Sequence, residues 1–179
     1  EILIGLVGSE MCIRDRSIIV LKSRQKPSLC DAKEYPPMFE LVPGLAKKIP
    51  VTELKLCKVL FENNRFYPWI FLVPKRENAK NMTFLSMEDR LQLMREMALC
   101  EKVMTELFPH DQTNVAMIGN KTPQLHVHIL CRKEGDPDWP TTVWNNHSEP
   151  YPADEAEKTA ASIKNAIEQE KSKPEYAQN

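Results

Sequence analysis

Short apolar runs organise the middle of this chain. Lys55 to Phe61 (KLCKVLF) is dense in apolar and β-favouring residues and predicts a strand. Glu62-Asn63-Asn64-Arg65 supplies a turn signal. Trp69 to Val73 (WIFLV) predicts a second strand, stopped by Pro74, which lacks a backbone donor. The period then changes. Leu93, Met97, Cys100, Met104 and Leu107 recur three or four residues apart, the spacing of one helical face. Ser86, with an acid three residues on at Asp89, caps that helix, which is expected to run to about Phe108. Its methionines read as adaptable core packing. Asn114 to Ile118 and Leu125 to Cys131 predict two more strands, separated by Gly119-Asn120-Lys121-Thr122-Pro123. Four prolines, Pro137, Pro140, Pro150 and Pro152, exclude regular structure over most of the stretch that follows Arg132. From Ala153 to Lys171 a helical period returns, with Ala156, Ala160, Ile163 and Ile167 as a narrow apolar stripe. That helix is expected on the surface, as a solvated appendage or a dimer prop. Strands joined by links this short cannot make parallel crossovers, so the pattern predicts an antiparallel α+β domain.

The two ends read differently from the middle. Residues 1–16 (EILIGLVGSEMCIRDR) resemble translated adapter read-through and are expected to be a non-native extension. Residues 17–37 are mixed in character, close on two prolines, and are expected to be a leader outside the domain. Met38 is the expected native start, with a domain over 38–150 and a helix and tail over 151–179. At 179 residues and 20.7 kDa the chain suits one domain with tails. The 24 basic and 25 acidic residues leave a net charge of −1, so no bulk field draws the chain onto nucleic acid or anionic lipid. A small polyanion would need a local site. The apolar run Ile2–Val7 is too short to cross a bilayer, and no basic stretch precedes it as in a secretory signal. Five cysteines without CxxC spacing fit reduced thiols, so a cytoplasmic location is expected.

Two of the four histidines, His126 and His128, stand in QLHVHIL. On a strand, residues two apart share a face, so Leu125, Val127 and Ile129 are expected inward and Gln124, His126 and His128 in a row on the other side. A packing strand has no need of such a row. Three chemistries can use it. An HxH pair can hold zinc with a third ligand, for which His110, His147 and Asp136 are the candidates, none at a characteristic spacing. One histidine can act as general acid or base. An imidazole, neutral near pH 7, can also attack phosphorus while a second histidine bonds an oxygen.

QLHVHIL resembles the histidine triad (HIT) motif, His-φ-His-φ-His-φ-φ, with Gln124 in the first histidine's place. The resemblance extends to Asn114, to Gly119-Asn120 in the position of the family's phosphate loop, to Trp139-Pro140 downstream, and to FYPWIFLVPKR, and so runs from Met38 to Trp144. It is strongest to bacterial members of the QLHVH…DPxWPxxVW type, often labelled dinucleoside-polyphosphate hydrolase-like. It implies an antiparallel sheet of about five strands with a long helix. It further implies a cytoplasmic homodimer that hydrolyses or transfers a nucleotide at its α-phosphate, with no cofactor and no metal required. His126 would be the nucleophile, forming a nucleotidyl-histidine that water resolves, and His128 would bind phosphate or assist the leaving group. Gly119 and Asn120 would contact phosphate, and Asn114 would lie near the scissile group. Asn63 or Asn64 would meet the ribose. Gln124 would orient His126, and Trp69 stands near where many members carry a further histidine. The alternatives are a nucleotide-binding protein whose catalysis is weak or lost through Gln124, and a metal-dependent hydrolase.

Overall fold

The computed structural model describes residues 39–144, 147–152 and 154–177. The extension over 1–16, the leader over 17–37 and the boundary at Met38 lie outside the described residues. Five strands, β1 (Ile49–Glu53), β2 (Cys57–Phe61), β3 (Trp69–Pro74), β4 (Gln112–Ala116) and β5 (Val127–Arg132), pair antiparallel in the order β1-β2-β3-β5-β4. The helices are α1 (Pro43–Ala46), α2 (Met87–Leu107), α3 (Glu155–Lys171) and α4 (Pro174–Ala177), with one 3-10 turn at Met82–Phe84. The chain is therefore an α+β fold of the class expected.

Several boundaries move, and one strand is new. β1 escapes a pattern search because Pro50 interrupts it. It is tolerated as an edge strand, pairing with β2 across an irregularity between Pro50 and Thr52. β5 begins at Val127 rather than Leu125, because the Leu125 N–H donates to the Ala79 carbonyl at 2.7 Å instead of entering the ladder. β4 covers Gln112–Ala116, two residues earlier than expected. α2 starts where its cap predicts, with Ser86 Oγ accepting from the Asp89 N–H at 3.1 Å.

Helices cover one face of the sheet. Leu93, Leu99, Cys100, Val103 and Met104 of α2 pack on Val59, Phe61, Ile70, Leu72, Val127, Ile129 and Cys131. Glu96 is buried there, its carboxylate accepting from the Leu56 and Cys57 N–H groups at 2.7 and 2.9 Å and from Gln92 Nε2 at 2.9 Å. α3 is no appendage. Ala156, Ala160, Ile163 and Ile167 are buried in this same core, and full burial of an isoleucine is worth about 1.5–3 kcal/mol, so the stripe is an integral layer.

The opposite face carries two smaller clusters. Leu45, Leu60, Phe71 and Val73 form one, and Tyr67, Leu130 and Val143 the other. His126 and His128 lie between them, on the side of β5 that Val127 and Ile129 do not use. No helix among the described residues is long and apolar enough to cross a membrane.

Candidate active site

The alternation of β5 turns His128 onto this face, directly opposite Phe71 of β3 and Ala116 of β4. His126 stands one residue before the ladder, and its ring centroid is 4.7 Å from that of His128. Both side chains are nearly buried, 5% and 7% exposed. They share a pocket of about 520 Å³ with Gly44, Leu45 and Lys48 at one wall, Trp69, Phe71 and Trp144 at another, and Ile118, Asn120, Lys121 and Thr122 along the rim. Glu62, the residue after β2, completes it, paired to Lys48. The Lys48 ammonium also lies 5.3 Å from the centroid of the Phe71 ring.

The histidines differ in their bonding. His126 Nδ1 lies 2.6 Å from the Gln124 carbonyl oxygen. A carbonyl only accepts, so Nδ1 carries the proton and Nε2 keeps its lone pair. Burial lowers the His126 pKa, which favours this neutral form. His128 is held by rings instead: Phe71 and Trp144 at 4.9 Å and Trp69 at 5.5 Å between centroids. Burial, then the neighbouring His126, lowers its pKa to about 4. The Ile118 carbonyl acts weakly the other way, but it is not within hydrogen-bond geometry of the ring. Both His128 nitrogens and the Trp69 indole nitrogen are buried without a hydrogen-bond partner. Both residues line one pocket, and an unpaired buried polar atom costs about 1–3 kcal/mol.

The other expected site residues divide. Asn120 lines the pocket. Gly119 lies just beside it, in a groove that also holds Gln124 and His126, and a Cβ there would meet the Thr122 carbonyl oxygen at 3.3 Å. A close approach of backbone to backbone, not positive φ, is what this glycine permits. Gln124 does not complete a row, because the strand has not yet begun at residue 124. Its side chain turns to the segment before α1, where Oε1 accepts from the Val42 N–H at 3.0 Å and Nε2 donates to the Glu40 carbonyl at 2.9 Å. Asn114 Oδ1 accepts from Arg132 Nη1 at 3.0 Å, in a group where Arg132 also donates to both carboxylate oxygens of Asp136. Asn63 accepts from the Tyr151 N–H at 2.9 Å, and Asn64 donates to the His147 carbonyl at 3.1 Å. Both asparagines therefore fasten residues 147–151 over the loop and do not line the pocket.

The zinc candidates are occupied elsewhere. Asp136 belongs to Arg132, His147 Nδ1 bonds Asp138 at 3.0 Å, and His110 bonds the Phe108 carbonyl at 2.9 Å. Among the described residues no three His, Cys, Asp or Glu side chains are grouped to hold a metal ion. Sequence reasoning missed Lys48, Glu62, Phe71, Lys121 and Thr122. Glu62 had a signal, since it stands in the same turn as Asn63 and Asn64, and so did Lys121 and Thr122, which directly follow Gly119-Asn120.

Two neighbouring histidines with rings tilted at 58°, one with its lone pair free, thus stand beside a basic and hydroxyl-bearing loop. The HIT domain family model matches residues 45–135. Three solved structures agree with it. A histidine triad protein from Bradyrhizobium japonicum is 34% identical with a TM-score of 0.70, covering 73% of this chain and 99% of its own. One from Sinorhizobium meliloti 1021 is 35% identical at 0.69, covering 72% and 96%. One from Marinobacter aquaeolei VT8 is 36% identical at 0.70, covering 74% and 98%. The chain belongs to the histidine triad family. No curated protein matches it.

Proposed function

We propose that this protein hydrolyses or transfers nucleotides at the α-phosphate through a covalent nucleotidyl-histidine on His126. The observation that carries the reading is the His126 Nδ1 bond to the Gln124 carbonyl, which leaves Nε2 as an unprotonated nucleophile at the pocket. Nε2 would form the new N–P bond as the bond from phosphorus to the leaving group breaks. Water would then cleave N–P, returning the lone pair to His126 and releasing a nucleoside monophosphate. The partnerless nitrogens of His128 and Trp69 would bond substrate oxygens as oxyanion-type contacts, once the rings shift to bring them to the pocket surface. Lys48 and Lys121 supply positive charge, and Asn120 and Thr122 supply polar contacts for phosphate. Glu62 would take the ribose contact expected of Asn63 or Asn64, since it lines the pocket and they do not. No step in this route calls for a metal.

The same reading takes the protein as a cytoplasmic homodimer. β4 supports association: it is an open sheet edge without a charged residue, where Val115, and Met117 just beyond it, are 39% exposed. A nucleotide-binding protein of low turnover is the second reading. It is favoured by His128, which is neutral near pH 7 and so brings no proton to a leaving group. Rapid acid quench and intact mass measurement separate the two, using diadenosine polyphosphates, nucleotide phosphoramidates and nucleotide sugars in turn. A mass gain of one nucleotidyl group, absent in His126→Ala, is expected with one of these classes. Binding without any adduct or product would leave the second reading standing.

A further inference from the structure

Gln124 occupies a position that motif logic assigns to the catalytic row, yet its side chain leaves that row. Its amide bonds the two groups that flank Leu41, the carbonyl of Glu40 and the N–H of Val42. A primary amide presents a donor and an acceptor side by side and nearly parallel, as a neighbouring strand would. An imidazole directs its N–H and its lone pair apart across the ring, so one histidine cannot make both bonds. Glutamine here is therefore suited to a task that the family's usual residue cannot perform.

That task has two ends. Val42 precedes α1, and its carbonyl accepts from the Leu45 and Ala46 N–H groups at 2.9 Å each. Val42 is a poor cap, with no side-chain bond of its own, and α1 is a single turn. Such a helix cannot hold itself in place. Gly44, Leu45 and Lys48, in α1 and just after it, form one wall of the histidine pocket. At its other end, the main-chain oxygen of Gln124 anchors Nδ1 of His126. One residue thus ties the pocket wall and the nucleophile's ring to a common point.

We propose that Gln124 is a positioning residue, whose side-chain amide clasps residues 40–42 and thereby holds the α1 wall of the nucleotide pocket in register with His126. This rests on the nucleotide reading above. It predicts that loss of the amide acts on affinity and not chiefly on the chemical step.

Three variants, Gln124→Ala, Gln124→Glu and Gln124→His, test it by amide hydrogen exchange at Val42 and by calorimetric titration with AMP. Exchange at Val42 should accelerate at least tenfold in the alanine variant. The Gln124→Glu variant retains an acceptor for Val42 but sets a carboxylate oxygen against the Glu40 carbonyl, so it should fall between alanine and wild type. AMP affinity should weaken by about tenfold for alanine and about threefold for glutamate, the scale of two hydrogen bonds and of one. Histidine should resemble alanine more than wild type. If the alanine variant does not fold, the isosteric glutamate variant carries both measurements. Unchanged Val42 exchange would show that no clasp exists. Faster exchange with unchanged AMP affinity would show that the clasp does not serve the pocket. Failure of wild type to bind AMP would instead overturn the nucleotide reading, while Val42 exchange would still decide the clasp.

Discussion

The two faces of the sheet treat buried polar groups in opposite ways. Under α2, the Glu96 carboxylate is buried and accepts three hydrogen bonds, two of them from the backbone where β2 begins. Across the sheet, His128 is equally enclosed and has no hydrogen-bond partner at either nitrogen. A buried polar group that is fully bonded stiffens its surroundings, whereas one left unbonded holds a cost that a ligand can relieve. The helical face is thus a finished structure and the histidine face an unfinished one. That contrast supports the proposed site more sharply than pocket size alone.

The largest effect should come from the reactive group of the unfinished face. His126→Ala should lower turnover on the order of 10⁴-fold or more and abolish the covalent adduct. AMP should still bind it, because the loop and α1 walls remain. Normal turnover by that variant would transfer the nucleophile elsewhere. On the finished face, Glu96→Leu should destabilise the fold by about 3 kcal/mol, since it strands the Leu56 and Cys57 N–H groups. Chemical denaturation measures this, and AMP affinity of the folded fraction should not change. A variant as stable as wild type would show that the face is not built around that carboxylate.

Acid should separate the faces next. His128 titrates near 4 when folded, below the roughly 6.5 of an unfolded histidine. As pH falls, the unfolded chain takes up the proton first. Stability from the neutral ring is therefore complete above about pH 6.5 and is lost as pH falls toward 4, up to about 3 kcal/mol. His128→Phe, which keeps a ring in the aromatic cage, should lose less stability than wild type between pH 7 and 4.5 in thermal melts. Parallel losses would mean that His128 is solvated. The smallest effect is at the rim. Glu62→Gln should weaken AMP binding by about tenfold or less and weaken binding of 2′,3′-dideoxy AMP hardly further. Equal losses for both ligands would remove Glu62 from the ribose.

Much of this was legible in the residues. The α2 helix, its Ser86 cap and the stripe of α3 follow from a period of 3.6, and β2, β3, β4 and β5 from short apolar runs with breakers at their ends. The HxH pair declared itself because two imidazoles on one face serve no packing purpose. What failed, failed for physical reasons. β1 was hidden by Pro50, since an edge strand tolerates what a central strand does not. The resemblance sets Asn63 or Asn64 at the ribose, but a loop has no period from which to read direction, and the structure spends both side chains on residues 147–151. The stripe of α3 is legible as a stripe, but the structure sets it in the core and not at the surface. Four apolar residues show that a face is buried, not what buries it.

By itself, then, the sequence determined which segments are helix and strand, that the sheet is antiparallel, and that His126 and His128 share a face. These are local properties, set by periodicity, caps and link length within a few residues. Tertiary structure decided that Nδ1 of His126 is the protonated nitrogen, because the carbonyl it meets depends on how the chain enters β5. It decided that His128 lies caged and neutral, because Trp69 and Phe71 of β3 and Trp144 from far along the chain converge on it. It also sent the Gln124 amide to residues 82 and 84 positions away in the chain. Orientation, protonation and partnership depend on neighbours that only folding brings near, and no window along the chain contains them.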